Sequence, residues 1–63
     1  MANIQLYIKR KENSLYQSDV AKMLNIAPET YSNKERGKAD FTLPEAIKLA
    51  KLFNCTLDEL FMN

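Results

Sequence analysis

The 63-residue sequence contains no histidine and a single cysteine, Cys55. Without histidine or a second cysteine the usual zinc ligands are missing, so we expect no metal site. The lone thiol cannot form an internal disulfide, which is typical of a protein from a reducing compartment, and we interpret Cys55 as a small buried apolar residue. The sequence also lacks a glycine-rich phosphate loop and a recognisable pair of catalytic carboxylates. We therefore predict a protein that is not an enzyme, needs no cofactor and has no small-molecule substrate.

Long hydrophobic runs are absent as well. No stretch of 18 apolar residues is present, and residues 1–13 lack the apolar segment of a signal peptide. These absences lead us to expect a cytoplasmic protein with no membrane partner.

Glycine and proline are scarce, with one and two residues, whereas hydrophobic residues make up 46% of the chain. This balance favours a helix-rich fold, and the length suits one domain over residues 1–63. Apolar residues recur at helical spacing almost throughout, and no useful strand-like alternation occurs. The spacing predicts an all-α bundle of five short helices. They cover residues 3–12, 17–24 and 28–35, a fourth helix after Thr42, and a fifth that ends near Met62.

The predicted helix ends have recognisable signals. Asn25 and Gly37 follow the second and third helices and are residue types that tolerate a positive φ. Pro28 suits the first turn of the third helix. Residues 42–45 and 56–59 both read Thr-Leu-x-Glu, the pattern of a capping box that opens a helix.

The net charge is only +1, which by itself argues weakly against a nucleic-acid ligand. The distribution is more informative, because basic residues cluster at 9–11 and 34–38 while Asp58 and Glu59 lie near the C-terminus. Either basic cluster can be an ordinary solvated face, which we favour for Lys9 and Lys11. If the two clusters fold onto one face, they indicate a binding surface.

Residues 17–37 carry the main functional signal. Val20, Leu24, Ile26 and Tyr31 are spaced to share one core, and we interpret Tyr31 as a core residue. The outer face of the third helix would then present short polar side chains, namely Glu29, Thr30, Ser32 and Asn33. An α-helix fits the major groove of B-DNA, and such side chains can hydrogen-bond bases or phosphates.

Five segments, in this order and spacing, carry a resemblance to a known family: 17–21, 24–26, 35–38, 46–50 and 57–60. Together they resemble the helix-turn-helix family of phage repressors and Cro proteins, also called the xenobiotic-response-element family, from Ile4 to Phe61. The resemblance implies a lambda-repressor-like domain that places the helix at 28–35 in the major groove. It also implies a transcriptional regulator, phage- or prophage-derived, that binds double-stranded operator DNA as a homodimer.

The resemblance assigns roles to individual residues. The residues that would contact bases are Pro28, Glu29, Ser32 and Asn33. The residues that would contact phosphates are Tyr16, Gln17, Thr30, Lys34, Arg36 and Lys38. Arg10 and Glu35 match an internal ion pair. The expected dimer contact comprises Leu57, Phe61 and Met62, although Phe61 and Met62 can equally seal the end of the helix.

Several residues depart from the family pattern. Ala27 and Tyr16 stand where capping Ser or Thr is usual, and Ser14 with Gln17 offers an alternative capping box for the second helix. The ring of Tyr16 can pack on the third helix, or its hydroxyl can reach a phosphate. Lys34 replaces a large apolar residue, so we expect its stem to cover the core and its ammonium to reach outward to phosphate.

Base reading by the first two residues of the third helix is weak. Proline has no side-chain hydrogen bond to offer, and the Glu29 carboxylate would repel phosphates. We therefore predict that Asn33, which can pair with adenine N6 and N7, provides more discrimination than Pro28 or Glu29. The alternative is a protein-interaction module of the same fold, which the low net charge, Pro28 and Glu29 favour.

Overall fold

The computed structural model describes residues 3–61 and contains five α-helices in this range. They are α1 (Ile4–Glu12), α2 (Gln17–Leu24), α3 (Pro28–Glu35), α4 (Leu43–Leu52) and α5 (Leu57–Phe61). No strand occurs among these residues. The all-α prediction is confirmed, and the helix bounds agree with the predicted ones to within about a residue. The predicted end of the fifth helix at Met62 lies outside the described residues.

The core draws on every helix. The largest fully buried side chains are Leu6, Val20, Tyr31, Leu49 and Leu60, one from each of α1 to α5. Because each short helix buries only one or two large apolar groups, no helix is stable by itself, and the bundle forms by mutual packing. The interpretation of Tyr31 as a core residue is confirmed.

The turn between α2 and α3 depends on a left-handed residue. Asn25 adopts φ 61° and ψ 41°, and this conformation lets the next amide, that of Ile26, donate to the Ala21 carbonyl at 3.0 Å. Ala21 is fully buried where α2 and α3 pack together, and its small side chain permits their close approach. The turn therefore sets the angle at which α3 leaves α2.

The start of α2 differs from the alternative that the sequence suggests. Ser14 lies in the left-handed region at φ 55° and does not cap α2. Instead, the Tyr16 amide donates to Asp19 Oδ2 at 2.8 Å. The proposed capping box of Ser14 and Gln17 is wrong, because Tyr16 holds the N-cap position and the Gln17 amide is engaged elsewhere.

Both capping boxes predicted at Thr-Leu-x-Glu are present. Thr42 N donates to Glu45 Oε1 at 2.9 Å, and Glu45 N donates to Thr42 Oγ1 at 3.3 Å. Thr56 and Glu59 make the equivalent pair of bonds at 2.9 and 3.1 Å. These contacts satisfy amides that the first turns of α4 and α5 would leave without partners.

Within residues 3–61, no helix has both the length and the apolar composition that a membrane span requires.

Candidate nucleic-acid interface

The C-terminal end of α3 is attached to α1 by a buried ion pair. Arg10 Nε donates to Glu35 Oε1 at 2.8 Å and Arg10 Nη2 donates to Oε2 at 3.3 Å, with the side chains only 6% and 4% exposed. Arg10 Nη1 also donates to the Leu15 carbonyl at 2.8 Å. The two residues assigned to an internal pair by the family resemblance thus lie together, and the guanidinium also fixes the loop before α2.

Two more side chains donate to the Glu35 carboxylate. Gln17 Nε2 reaches Oε2 at 2.7 Å and the Tyr31 hydroxyl reaches Oε1 at 3.0 Å. Burial raises the pKa of Glu35, but hydrogen bonds from Arg10, Gln17 and Tyr31 outweigh it, so the pKa lies below its ordinary value. Burial and the Glu35 charge raise the pKa of Tyr31. The network therefore holds a charged glutamate and a neutral tyrosine at neutral pH, and it joins α1, α2 and α3.

Asn3 adds a connection that the sequence-based reasoning missed. Its backbone amide donates to the Glu35 carbonyl at 3.0 Å, and its side-chain Nδ2 donates to the Lys34 carbonyl at 3.0 Å. These carbonyls belong to the last turn of α3, where no intrahelical partner is available. A separation of 31 residues left no local signal for this contact.

The outer face of α3 is polar and accessible. Pro28, Glu29 and Thr30 are exposed, while Ser32 and Asn33 are half-buried. Arg36 Nη2 donates to Asn33 Oδ1 at 3.0 Å. This bond orients the Asn33 amide, whose nitrogen can still donate to a ligand and whose oxygen keeps a second lone pair that can accept.

The residues expected to contact phosphates are not equally placed. Arg36, Lys38 and Thr30 are exposed. Tyr16 is 75% exposed, so little of its ring is covered by α3, and the alternative that its hydroxyl reaches a phosphate stays a prediction. Gln17 is half-buried, and one of its amide hydrogens is committed to Glu35.

The ammonium group of Lys34 does not lie where the sequence predicted. It donates to Glu45 Oε1 at 2.6 Å and does not reach outward. The ammonium also lies 5.9 Å from the centre of the Phe41 ring, and the Lys34 side chain is only 13% exposed. The sequence could not reveal this partner, because Glu45 is recognisable only as a capping residue of α4.

Sequence comparison adds an independent finding. The profile of the helix-turn-helix family matches residues 6–60. The chain belongs to the helix-turn-helix family. It is also 36% identical, over 53 residues, to a protein of Methanocaldococcus jannaschii named as an uncharacterized HTH-type transcriptional regulator; the match covers 84% of this chain and 80% of that protein. Together the family and the relative indicate a DNA-binding regulator and not an enzyme.

In this helix-turn-helix protein, two of the three residues expected to form the dimer contact belong to α5. Leu57 and Phe61 are half-buried and pack against the core, and the Phe61 ring centre is 5.8 Å from that of Phe41. Both residues line an open groove of about 530 Å³ together with Phe41 and Leu43, which is 66% exposed. Met62, the third residue of the expected contact, lies outside the described residues.

Cys55 is partly buried and packs against the core. Burial raises the pKa of its thiol, which keeps the thiol protonated at neutral pH. Among residues 3–61 no group of three histidine, cysteine or acidic side chains could hold a metal ion. The location of Cys55 fits its interpretation as an apolar packing residue.

Proposed function

We propose that this protein is a transcriptional regulator of the phage-repressor or Cro type, which inserts α3 into the major groove of operator DNA. The observation that carries the proposal is the contrast between the two sides of α3. Its inner side is fixed by the buried Glu35 carboxylate, which accepts bonds from Arg10, Gln17 and Tyr31. Its outer side presents accessible polar groups, and the major groove of B-DNA admits an α-helix.

In this proposal the base contacts come from Pro28, Glu29, Ser32 and Asn33. Asn33 provides most of the discrimination, because an amide can both donate to and accept from adenine. The bond from Arg36 supports this role, since it orients the Asn33 amide before DNA arrives. Pro28 offers an apolar contact, and the Glu29 carboxylate can accept a hydrogen bond from cytosine N4.

Phosphate contacts would flank the bases on both sides. Arg36 and Lys38 extend from the end of α3, and Thr30 lies on the helix itself. Tyr16 and the second amide hydrogen of Gln17 lie at the start of α2. Contacts of this type position the protein on the duplex without reading its sequence.

Fluorescence anisotropy tests the proposal. The protein is titrated, at several salt concentrations, with a random duplex and with a duplex selected from a random pool for binding to this protein. We expect salt-dependent binding to both, tighter binding to the selected duplex, and a loss of at least tenfold in affinity for Arg36→Glu. Lys51→Glu is the matched control, because it makes the same charge change at an exposed position near the end of α4. An affinity that did not change with salt concentration, or an equal loss of affinity for the two variants, would favour the alternative, a protein-interaction module.

We further propose that two copies bind a pseudo-palindromic operator through Leu57, Phe61 and Met62. The half-sites would then lie about 34 Å apart, one turn of the duplex. The support is the open apolar groove beside Leu57 and Phe61, which a second copy can cover. Sedimentation of the protein with duplexes of one and two half-sites tests it: we expect one and two bound copies, with cooperative binding of the second. Independent binding to the two half-sites would exclude the dimer.

A further inference from the structure

The contact between Lys34 and Glu45 is a second ion pair, separate from the Arg10–Glu35 pair. Lys34 Nζ lies 2.6 Å from Glu45 Oε1, and the side chains are 13% and 15% exposed. The same carboxylate oxygen accepts the Thr42 amide at 2.9 Å. The pair thus joins the last turn of α3 to the first turn of α4.

The environment of the ammonium holds it in this position. The Phe41 ring lies on one side of it, 5.9 Å from the ring centre to Nζ. Burial raises the pKa of Glu45, yet hydrogen bonds from Lys34 and Thr42 outweigh that effect and leave it below its ordinary value. Glu45 is therefore ionised at neutral pH and attracts the ammonium from a largely buried site, where salt screens the attraction little.

Lys34 belongs to the flank of α3 that would approach the DNA backbone. It follows Thr30 by one helical turn, so the two side chains lie on the same side of the helix. Thr30 is exposed and is one of the proposed phosphate contacts. An unpaired lysine at position 34 would extend that row of contacts.

We propose that Glu45 withholds Lys34 from DNA, so that the lysine neutralises no phosphate in the wild-type complex and Glu45 limits sequence-independent binding. The inference rests on the proposed DNA-binding function. Non-specific affinity comes almost entirely from neutralised phosphates. An acidic residue that sequesters one cation therefore lowers binding to random DNA without touching the bases.

The chain offers a closely matched control for this idea. Glu45 and Glu59 are both the fourth residue of a Thr-Leu-x-Glu capping box, but among the described contacts only Glu45 accepts a bond from a lysine ammonium. Replacement by glutamine preserves the capping pattern and adds the same unit of net charge at either site. A difference between Glu45→Gln and Glu59→Gln thus reports the release of Lys34.

The experiment measures binding of random duplex DNA between 50 and 200 mM salt for the wild type, Glu45→Gln, Glu59→Gln, Lys34→Gln and Lys34→Gln/Glu45→Gln. Circular dichroism first verifies that each variant is folded. We expect Glu45→Gln to bind more tightly at 50 mM and to steepen the slope of log K against log salt by about 0.9, the value for one extra phosphate. Its advantage over the wild type should shrink roughly 3.5-fold across this salt range, as that slope requires.

The other variants should keep the wild-type slope: Glu59→Gln, Lys34→Gln, and the double variant. A slope for Lys34→Gln that is flatter by about 0.9 would overturn the proposal, because Lys34 would then contact phosphate in the presence of Glu45. Equal slopes for Glu45→Gln and Glu59→Gln would also overturn it. Absence of salt-dependent binding by the wild type is a different result, which refutes the proposed DNA-binding function and this inference with it.

Discussion

Replacement of Arg10 by methionine should remove a large share of the stability of the fold. Methionine matches the unbranched stem of arginine but lacks the guanidinium group, so the variant loses two charged bonds to Glu35 and one bond to the Leu15 carbonyl. Glu35 would remain almost completely buried without its counter-charge. Breaking a buried pair from one side costs about 3–5 kcal/mol, mainly because the abandoned charge stays out of water.

This cost is large relative to the free energy of unfolding of the whole chain. At 0.05–0.15 kcal/mol per residue, a chain of 63 residues has a free energy of unfolding of roughly 3–9 kcal/mol. Arg10→Met should therefore lose between about a third and all of its free energy of unfolding at 25 °C. Urea denaturation followed by circular dichroism measures the difference in the free energy of unfolding between the wild type and Arg10→Met.

Two further variants separate the buried charge from other effects. Arg36→Met makes the same chemical change at an exposed residue and should shift stability by no more than about 0.5 kcal/mol. Arg10→Met/Glu35→Leu removes the orphaned charge as well, so it should be more stable than Arg10→Met. A loss below about 1 kcal/mol for Arg10→Met, or a double variant less stable than the single one, would refute the reasoning.

Three other predictions concern pH, the turn and base reading. Because the folded-state pKa of Glu35 lies below the ordinary 4.5, its stabilisation is present above that pH and is lost as pH falls through the folded-state value; a urea midpoint that did not decrease on acidification would contradict this. Asn25→Ala should cost about 1–2 kcal/mol, because alanine disfavours the left-handed conformation, whereas Asn25→Gly should be nearly neutral; equal melting temperatures for the two variants would contradict this. Asn33→Ala should weaken binding to the selected operator by about 1–3 kcal/mol and relax the preference at one base pair; an unchanged preference in a selection experiment would exclude Asn33 as the main reader.

The fold was predictable because its signals are local. Periodic apolar residues define the five helices, and the Thr-Leu-x-Glu boxes and Asn25 mark their ends within a few residues of chain. Such signals operate through backbone geometry, which neighbouring residues largely determine. The start of α2 was less predictable, because Ser14 and Asp19 are both plausible capping residues and only the path of the chain decides between them.

Contacts between distant side chains were harder to predict. Arg10 and Glu35 were paired through the family resemblance, since nothing in their own surroundings connects them. The Lys34–Glu45 and Asn3–Lys34 contacts had no such guide, and both depend on how α3 is seated against neighbouring segments. A charged residue in a basic cluster was consequently interpreted as a ligand contact, although its charge is neutralised within the fold.

The small net charge of +1 is compatible with DNA binding once the positions of the acids are taken into account. Glu35 is neutralised by Arg10 inside the bundle, and Glu45 and Glu59 accept backbone amides at helix starts. These carboxylates stabilise the fold through an ion pair or through hydrogen bonds to backbone amides. Arg36 and Lys38, by contrast, are exposed beside the outer face of α3. Since screening limits exposed charges to a range of about 10 Å, the local field at this edge governs the encounter with phosphates more than the sum over the chain.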